Sequence, residues 1–373
     1  MKKQKLFITV LMGLLILGLG ACEKDDTEDF SGYINNPEIP DDPEDPDNPS
    51  TPSDTVVAAG SDTIYIVYNG GTATVTNDTH GYVSVSGADV TVNALEADTT
   101  MLLVLSGSTD DGSLLVYRAK PFTLRLNGVS ITNPDGPAIN NQCSKWLYVD
   151  IADGTENTLT DGESYTEQPF DQKGTFFSEG QMQFLGTGTL TVNGNAKNGI
   201  ACDDYIVIDG GKLVIDVKSK GGRGIKVNES VTINGGSTTI TTSGDCKIEN
   251  VDGVRDTTSA AGIKCDSLFT MSGGTLVINS SGDGGKGINC SDVVEFKGGV
   301  LTIKTTGSND VAKPKAVKGD KGIIVSGGSF KATVSKSWAC DNGTDSEDPN
   351  KHVTVLGAPT TCSLGKKSVV IQY

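Results

Sequence analysis

Two markers repeat along the middle of this chain with one common spacing, and this constrains the fold more than any other feature. Gly-Ile pairs recur in steps of 25, 38 and 25 residues, with their isoleucines at Ile200, Ile225, Ile263 and Ile288. The same three steps separate Gly-Gly pairs that begin at Gly210, Gly235, Gly273 and Gly298. Two independent markers that keep step in this way indicate a structural repeat.

Each repeat has the pattern of short strands with one buried face. Apolar and polar residues alternate with a period of two around each Gly-Gly pair, as in Ile206, Ile208, Leu213 and Ile215. A repeat of about 25 residues with three short strands is typical of one coil of a parallel β-helix. A β-sandwich or a β-propeller is the alternative, but neither needs like residues in register at a fixed step. The sequence therefore predicts an all-β solenoid with β caps at both ends.

The repeat continues less perfectly on both sides, and its longer steps share one location. The Gly-Ile position is taken by Ala138-Ile139, Thr175-Phe176 and Ala316-Val317. The extra residues of the long steps all precede this position, in the segments 161–173, 242–260 and 305–315. We expect these insertions on one edge of the solenoid, where insertions usually mark a binding face.

The first 54 residues predict a lipid-anchored protein. Residues 1–21 combine a lysine-rich start, a short apolar run and small residues before Cys22, as in a bacterial lipoprotein signal. Cys22 is the expected lipidation site, and residues 22–54 form an acidic, proline-rich tether. The acidic residues directly after Cys22 resemble a signal for export to the cell surface, so we expect an outer-membrane lipoprotein exposed there. The β-helix domain is expected at 55–373, with an N-terminal cap and irregular coils at 55–132, regular coils at 133–334 and a C-terminal cap at 335–373.

The net charge limits the possible partners. It is −17 overall, and twelve of the acidic residues lie in the tether. The remaining, mildly acidic domain has no basic stripe of the kind that binds nucleic acid, so nucleic acid is not expected as a partner. Contact with the membrane is expected through the N-terminal lipid only.

Three cysteines share one position of the repeat: Cys202, Cys265 and Cys290 each stand two residues after the isoleucine. This position faces inward, so a column of small hydrophobic side chains is expected, with a Cys265–Cys290 disulfide as the alternative. Zinc binding is not expected, because the chain has no CxxC pair and contains only two histidines.

Polar columns on the outside of the coils supply the candidate binding residues. Candidate ligand-binding lysines follow the isoleucines at Lys226, Lys264 and Lys318, and Trp146, Tyr165 and Trp338 are expected to be exposed aromatics that stack on sugars. Carboxylates at the turns and on the loop-bearing edge could bind calcium: Asp203, Asp204, Asp245, Asp252, Asp266 and Asp283. The alternative to a binding site is a solvent-exposed surface of weak ion pairs that binds no ligand. No constellation of catalytic residues is recognisable.

Two longer motifs resemble a known family. The segments 153–162 (DGTENTLTDG) and 186–194 (GTGTLTVNG), followed by the Gly-Ile-Lys repeats, look like the carbohydrate-binding β-helix proteins related to pectate lyases. This resemblance implies a right-handed parallel β-helix, bound calcium and binding of plant-wall or acidic polysaccharide, without demonstrated lyase activity. The family's repeats usually have Asp before Gly-Ile, whereas this chain has Asn198, Arg223, Ala261 and Lys286. Asp203, Asp204 and Asp266 remain as calcium ligands carried over from the family.

The leading hypothesis is a surface lipoprotein that binds polysaccharide along a β-helix face without cleaving it. A surface adhesin or structural protein with a protein partner is the first alternative. A calcium-dependent polysaccharide lyase, with Lys226 or Lys264 beside Asp266 and a metal ion, is the second.

Overall fold

A computed structural model describes residues 62–251, 254–308 and 310–373 of the chain. The signal segment, the tether, Cys22 and Asp252 lie outside the described residues. The described residues form strands and turns, with one short 3₁₀ helix at Pro349–Lys351 and no α-helix among them. In the same residues, no helix reaches the length and apolar character that a membrane crossing requires.

Seven strands form the N-terminal part, the segment predicted as a cap with irregular coils. Its seven strands are β1 Asp62–Asn69, β2 Ala73–Thr76, β3 Val83–Ser86, β4 Asp89–Ala94, β5 Met101–Thr109, β6 Ser113–Arg118 and β7 Phe122–Asn133. Two antiparallel pairs, β1 with β2 and β3 with β4, stand at this end.

The middle of the chain consists of short strands. They are β8 Ile139–Asn141, β9 Leu147–Ile151, β10 Glu156–Asp161, β11 Gly174–Ser178, β12 Met182–Gly186, β13 Thr189–Gly194, β14 Asn198–Cys202, β15 Ile206–Ile208, β16 Lys212–Val217, β17 Arg223–Val227, β18 Val231–Ile233, β19 Ser237–Thr242, β20 Lys247–Val251, β21 Val254–Thr258, β22 Ala261–Cys265, β23 Leu268–Met271, β24 Thr275–Ser280, β25 Lys286–Cys290, β26 Val293–Phe296, β27 Val300–Thr305, β28 Lys315–Gly319, β29 Gly322–Val325 and β30 Ser329–Val334.

Antiparallel strands again stand at the C-terminal end. The last strands are β31 Cys340–Asp341, β32 Thr354–Val355, β33 Thr361–Leu364 and β34 Ser368–Gln372. β34 pairs antiparallel with both β30 and β33, so it covers the edge of the last coil. Covering this edge prevents further chains from pairing with it.

Three parallel ladders run through the coils, and each regular coil gives one strand to each ladder. The first ladder joins β9, β12, β15, β18, β23, β26 and β29; the second joins β10, β13, β16, β19, β24, β27 and β30. The third ladder belongs to a separate sheet of eleven strands and joins β8, β11, β14, β17, β22, β25, β28 and β31. This arrangement is solenoid-like and confirms the all-β prediction with three strands per repeat.

The strand register confirms the column of isoleucines. Ile200 pairs with Ile225, Ile225 with Ile263, and Ile263 with Ile288. The imperfect repeats keep the same column, because Ile139, Phe176 and Val317 continue it. These side chains are buried in one core to which all three ladders contribute.

The glycines of the two markers are required for different reasons. The second glycine of a Gly-Gly pair has positive φ, as at Gly236 (67°), which L side chains rarely adopt. At Gly262, of the Gly-Ile marker, a Cβ would lie 2.4 Å from Cγ2 of Ile278 in the second ladder. The Gly-Ile glycine is therefore fixed by close packing across the core.

The cysteine column also lies where the repeat predicts it. Cys265 and Cys290 are direct partners in the third ladder, and Cys202, Cys265 and Cys290 are all fully buried. All three are free thiols, so the alternative of a Cys265–Cys290 disulfide is not what the structure has. Small apolar side chains filling the core account for this column.

The three insertions lie at one corner, between the second and third ladders, as predicted. One of them contains an element that the repeat pattern did not predict: β20 and β21 form an antiparallel hairpin outside both larger sheets. This hairpin stands beside β17, and the two together form one wall of the site described next.

Candidate functional site

Two basic columns run along the outer face of the third ladder. Lys226 pairs with Lys264, and after Asn289 the column continues at Lys318. Two positions before each isoleucine, a second column contains Arg223, Lys286 and Lys315. Lys226 directly follows the inward Ile225 and therefore faces outward by strand alternation. The alternation is interrupted at Gly224, where a Cβ would also point at the core, so Arg223 and Lys286 are partly exposed. Lys315, in the same column, is only 6% exposed.

The three predicted lysines differ in their hydrogen-bond and ion-pair partners. Lys264 forms an ion pair with Asp266 and donates to Oγ of Ser291 at 2.8 Å. Lys318 forms an ion pair with Asp320. Among the described residues, Lys226 has no carboxylate partner, and its ammonium donates to the neutral Asn228.

Lys226 lines a cleft of about 370 Å³, which we call the cationic cleft. Three successive coils and the β20–β21 hairpin supply six basic side chains: Lys173, Lys197, Lys220, Arg223, Lys226 and Lys247. Among the described lining residues Glu249 is the one carboxylate, and it is paired with Lys247, while Lys173 is paired with two carboxylates beside the cleft. The volume is within the range of pockets that hold small ligands, roughly 300–1,000 Å³. A cleft lined by one sign of charge concentrates ions of the opposite sign.

Asn198 fixes the backbone of two neighbouring coils at the base of the cationic cleft. Its Oδ1 accepts from the backbone N–H of Arg223 at 3.0 Å, and its Nδ2 donates to the carbonyl of Lys173 at 2.6 Å. An ionised aspartate has no donor for the second contact. The Asn that replaces the family's usual Asp therefore has a positioning role.

Arg223 lines the cationic cleft and contains one buried donor without a partner among the described residues. Its Nε is buried and has no hydrogen-bond partner among the described residues. Burial also lowers the pKa of its guanidinium, which nonetheless stays protonated at neutral pH. A buried donor without an acceptor is costly.

Burial also destabilises the charged form of two neighbouring lysines. Burial lowers the pKa of Lys226. Burial, followed by the charges of Lys318 and Lys315, lowers the pKa of Lys286 to about 8. The outer face of the third ladder thus concentrates positive charge at the expense of stability.

Three carboxylates form a cluster at one side of the cationic cleft. Oxygens of Asp171, Glu179 and Asp203 lie within 4.8 Å of one another. Burial and the charge of Asp203 raise the pKa of Glu179. Oxygen ligands of this kind suit calcium, but Nζ of Lys173 lies 2.5 Å from both Asp171 and Asp203. With Lys173 in this position, the cluster does not fit a calcium ion.

Of the other predicted metal ligands, two have structural roles. Oδ1 of Asp245 accepts from the backbone N–H of Asp283 at 2.9 Å, and Oδ1 of Asp283 accepts from that of Ser308 at 2.8 Å. These carboxylates join the turns of successive coils. Asp266 is paired with Lys264, and Asp204 lies outside the three-carboxylate cluster.

The aromatic predictions need correction. Trp146, expected to be exposed, is only 6% exposed and lies against Tyr148 and Tyr205. Trp338 is half-buried, with the ring of His352 stacked on it at 3.9 Å and the ammonium of Lys366 4.6 Å from its centre. Neither ring presents an open face to a sugar.

Tyr165 is the predicted aromatic that lies nearest the cationic cleft. The ammonium of the cleft residue Lys197 is 4.8 Å from the centre of its ring. Its hydroxyl donates to Oδ2 of Asp161 at 2.7 Å, which orients the ring. A cation held on an aromatic face is a stabilising contact.

Sequence reasoning missed most of the cationic cleft. Lys173, Lys197, Lys220 and Lys247 belong to turns or to the hairpin, which have no counterpart in the repeat. One signal was available: three of the residues noted as departures from Asp before Gly-Ile, Asn198, Arg223 and Lys286, lie at this face.

Comparisons with known proteins agree with the all-β, solenoid-like fold. Residues 86–348 match a family model described as carbohydrate-binding domain-containing protein. A protein of Acetivibrio thermocellus with the same description is 33% identical over 144 residues, which cover 37% of this chain and 50% of the relative. This chain thus spans about half the length of that relative.

A solved structure is also similar. It is that of a polysaccharide lyase-like protein from C. thermocellum, determined as a gadolinium derivative. The TM-score is 0.51 and the identity 28%, over 64% of this chain and 100% of that chain.

Proposed function

Because this chain belongs to the family of carbohydrate-binding domain-containing proteins, we propose that it binds an anionic polysaccharide in the cationic cleft without cleaving it. The observation that carries this proposal is the convergence of six basic side chains on one cleft, in a chain with a net charge of −17. Such a concentration of like charge costs stability, and an anionic ligand offsets that cost.

The chemistry of the cleft favours carboxylate or sulfate groups on a sugar. Arg223 lines the cleft, and its planar guanidinium can donate two parallel hydrogen bonds to such a group. Lys226 adds an ammonium with no carboxylate partner of its own among the described residues. Beyond the cleft, the column continues at Lys264 and Lys318, so a polymer could make several weak contacts that add up.

Three finer features belong to the same proposal. The winding is right-handed, which the strong preference for right-handed crossovers between parallel strands supports. The chain is anchored by a lipid at Cys22 and exposed on the cell surface, which the sequence of residues 1–54 supports. Replacing Cys22 with Ser should move the protein from the membrane fraction to the soluble fraction; unchanged membrane recovery would contradict lipid anchoring.

A matched series of polymers tests the main proposal. Dextran, carboxymethyl dextran and dextran sulfate share a backbone and differ in charge. Affinity electrophoresis should show retardation by one or both charged polymers and none by dextran. Equal mobility in all three would contradict the proposal, and retardation by carboxymethyl dextran alone would identify carboxylates as the recognised groups.

A lyase is the second candidate, favoured by one observation. Lys226 lines the cationic cleft and has a pKa lowered by burial, which brings an amine closer to the range of a general base. Such a base would remove the proton next to the carboxylate of a uronic acid. Incubation with polygalacturonate, followed by ultraviolet absorbance of unsaturated products, tests this; no increase would exclude lyase activity on that polymer.

A further inference from the structure

The carboxylate cluster beside the cationic cleft already holds a cation that belongs to the chain. Nζ of Lys173 lies 2.5 Å from Oδ2 of Asp171 and 2.5 Å from Oδ2 of Asp203. Calcium binds oxygen ligands at about 2.3–2.6 Å. A calcium ion bound to these oxygens would therefore occupy the same position as the ammonium of Lys173.

Several contacts keep Lys173 in this position. It directly precedes β11, whose Phe177 has its ring centre 5.2 Å from the ammonium. Burial alone would lower the pKa of Lys173, but the hydrogen bonds to Asp171 and Asp203 together outweigh burial and raise it. The side chain thus stays protonated throughout the neutral range. Because it is covalently attached, it also reaches the cluster at a high effective concentration.

We propose that Lys173 is a tethered counter-ion that replaces calcium in the cluster of Asp171, Glu179 and Asp203. The cationic cleft consequently binds its anionic polysaccharide without a metal ion, a consequence that rests on the function proposed above. The ammonium offsets the carboxylates, which would otherwise repel the acidic groups of the ligand. Arg223 and Lys226 then contact those groups directly.

Calorimetric titration of calcium into the purified full-length chain tests the role of Lys173. Wild type and Lys173→Arg should give no saturable heat, whereas Lys173→Met should bind calcium and melt at a temperature that rises with calcium concentration. Saturable binding by wild type at these carboxylates, abolished by Asp203→Asn, would overturn the inference. A Lys173→Met variant with wild-type circular dichroism and no calcium binding would also overturn it.

Affinity electrophoresis in carboxymethyl dextran tests the consequence for the ligand. Retardation of wild type should be the same with EDTA as with added calcium chloride. Loss of retardation in EDTA would refute metal-free binding and leave the proposed function standing. If no charged polymer retards the chain under either condition, the proposed function fails, while the calcium titration still decides the role of Lys173.

Discussion

At the scale of the residue, a single position of the repeat sets the sign of the binding face. The resemblance to carbohydrate-binding β-helix proteins leads us to expect Asp before Gly-Ile, whereas this chain has Asn198, Arg223, Ala261 and Lys286 there. These replacements remove carboxylates from the column and add two cations to it. The change that weakens the case for calcium is the same change that builds a surface for anions.

Arg223→Ala should weaken binding of the charged dextran. A hydrogen bond to a charged group contributes about 1.5–3 kcal/mol, so we expect a loss of affinity of roughly 10- to 100-fold. The variant keeps the backbone N–H that Asn198 accepts, so its melting temperature should change little. Lys304→Ala, an exposed lysine of β27 in the second ladder, is the matched control and should bind like wild type. Equal affinities for the two variants would contradict the role of Arg223.

Lys286→Met should stabilise the protein at neutral pH. The pKa of Lys286 is lowered to about 8 in the folded protein, so between that pH and the usual lysine pKa the unfolded state binds more protons. The free energy of unfolding of the wild type therefore increases as pH rises through that window. The Met variant has no titrating group at this position, so its free energy of unfolding does not show this increase. Melting temperatures measured from pH 7 to pH 10 should show the advantage of the variant shrinking. A constant difference would show that the lysine's charge is not the cause.

At the scale of the element, the insertions modify one corner and leave the ladders intact. The step that contains the β20–β21 hairpin is 38 residues instead of 25, yet Ile225 and Ile263 still pair directly. The hairpin brings Lys247, Glu249 and Thr258 to the cationic cleft. The coil supplies the register, and the insertion supplies part of the binding surface.

Residues 243–260 can be replaced with Lys-Ser-Lys-Gly-Gly, the five-residue sequence that connects β16 to β17 at 218–222. We expect this variant to fold but to bind the ligand more weakly. The replacement restores the 25-residue step, so the variant should keep cooperative unfolding and the circular dichroism of a β protein. Without one wall of the cleft, affinity for the charged dextran should fall at least tenfold, which corresponds to about 1.4 kcal/mol. Wild-type affinity in a folded variant would exclude the hairpin from the site.

The ladders were predictable from the sequence, and the cleft was not. Ile200 and Ile225 recur at a fixed step because each must fill the same place in its coil, and this constraint is visible in one dimension. Lys173 and Lys247 meet because turns of different coils converge, and no periodic signal accompanies that convergence. Likewise, the burial of Trp146 depends on neighbours in other coils, which its own position in the sequence does not specify.

At the scale of the whole molecule, the charge distribution opposes the net charge. The chain is acidic overall at −17, but the lining of the cationic cleft carries six basic residues and one acidic residue. An anionic polymer is therefore attracted to the cleft although the chain as a whole is acidic. Such an arrangement directs the ligand to the cleft and discourages binding elsewhere.

Binding should accordingly depend on salt. The Debye length falls from about 10 Å at 0.1 M to about 3 Å at 1 M ionic strength, which screens the field of the cleft. We expect retardation by the charged dextran to decrease steadily as sodium chloride is added, and the decrease to be shallower for Arg223→Ala. Retardation that is insensitive to salt would point to neutral sugar contacts instead.

The closing of the last coil by β34 has a consequence for protein engineering. Because β34 pairs with β30 along its backbone and packs Val369 and Ile371 into the core, it should accept a preceding coil whose final strand ends in the same register and carries the same core residues. Duplicating one 25-residue unit, such as 263–287, which begins with Ile263 and Lys264, would then add one lysine to the column and leave both ends of the coils capped. Variants with more coils would then bind progressively longer polymers.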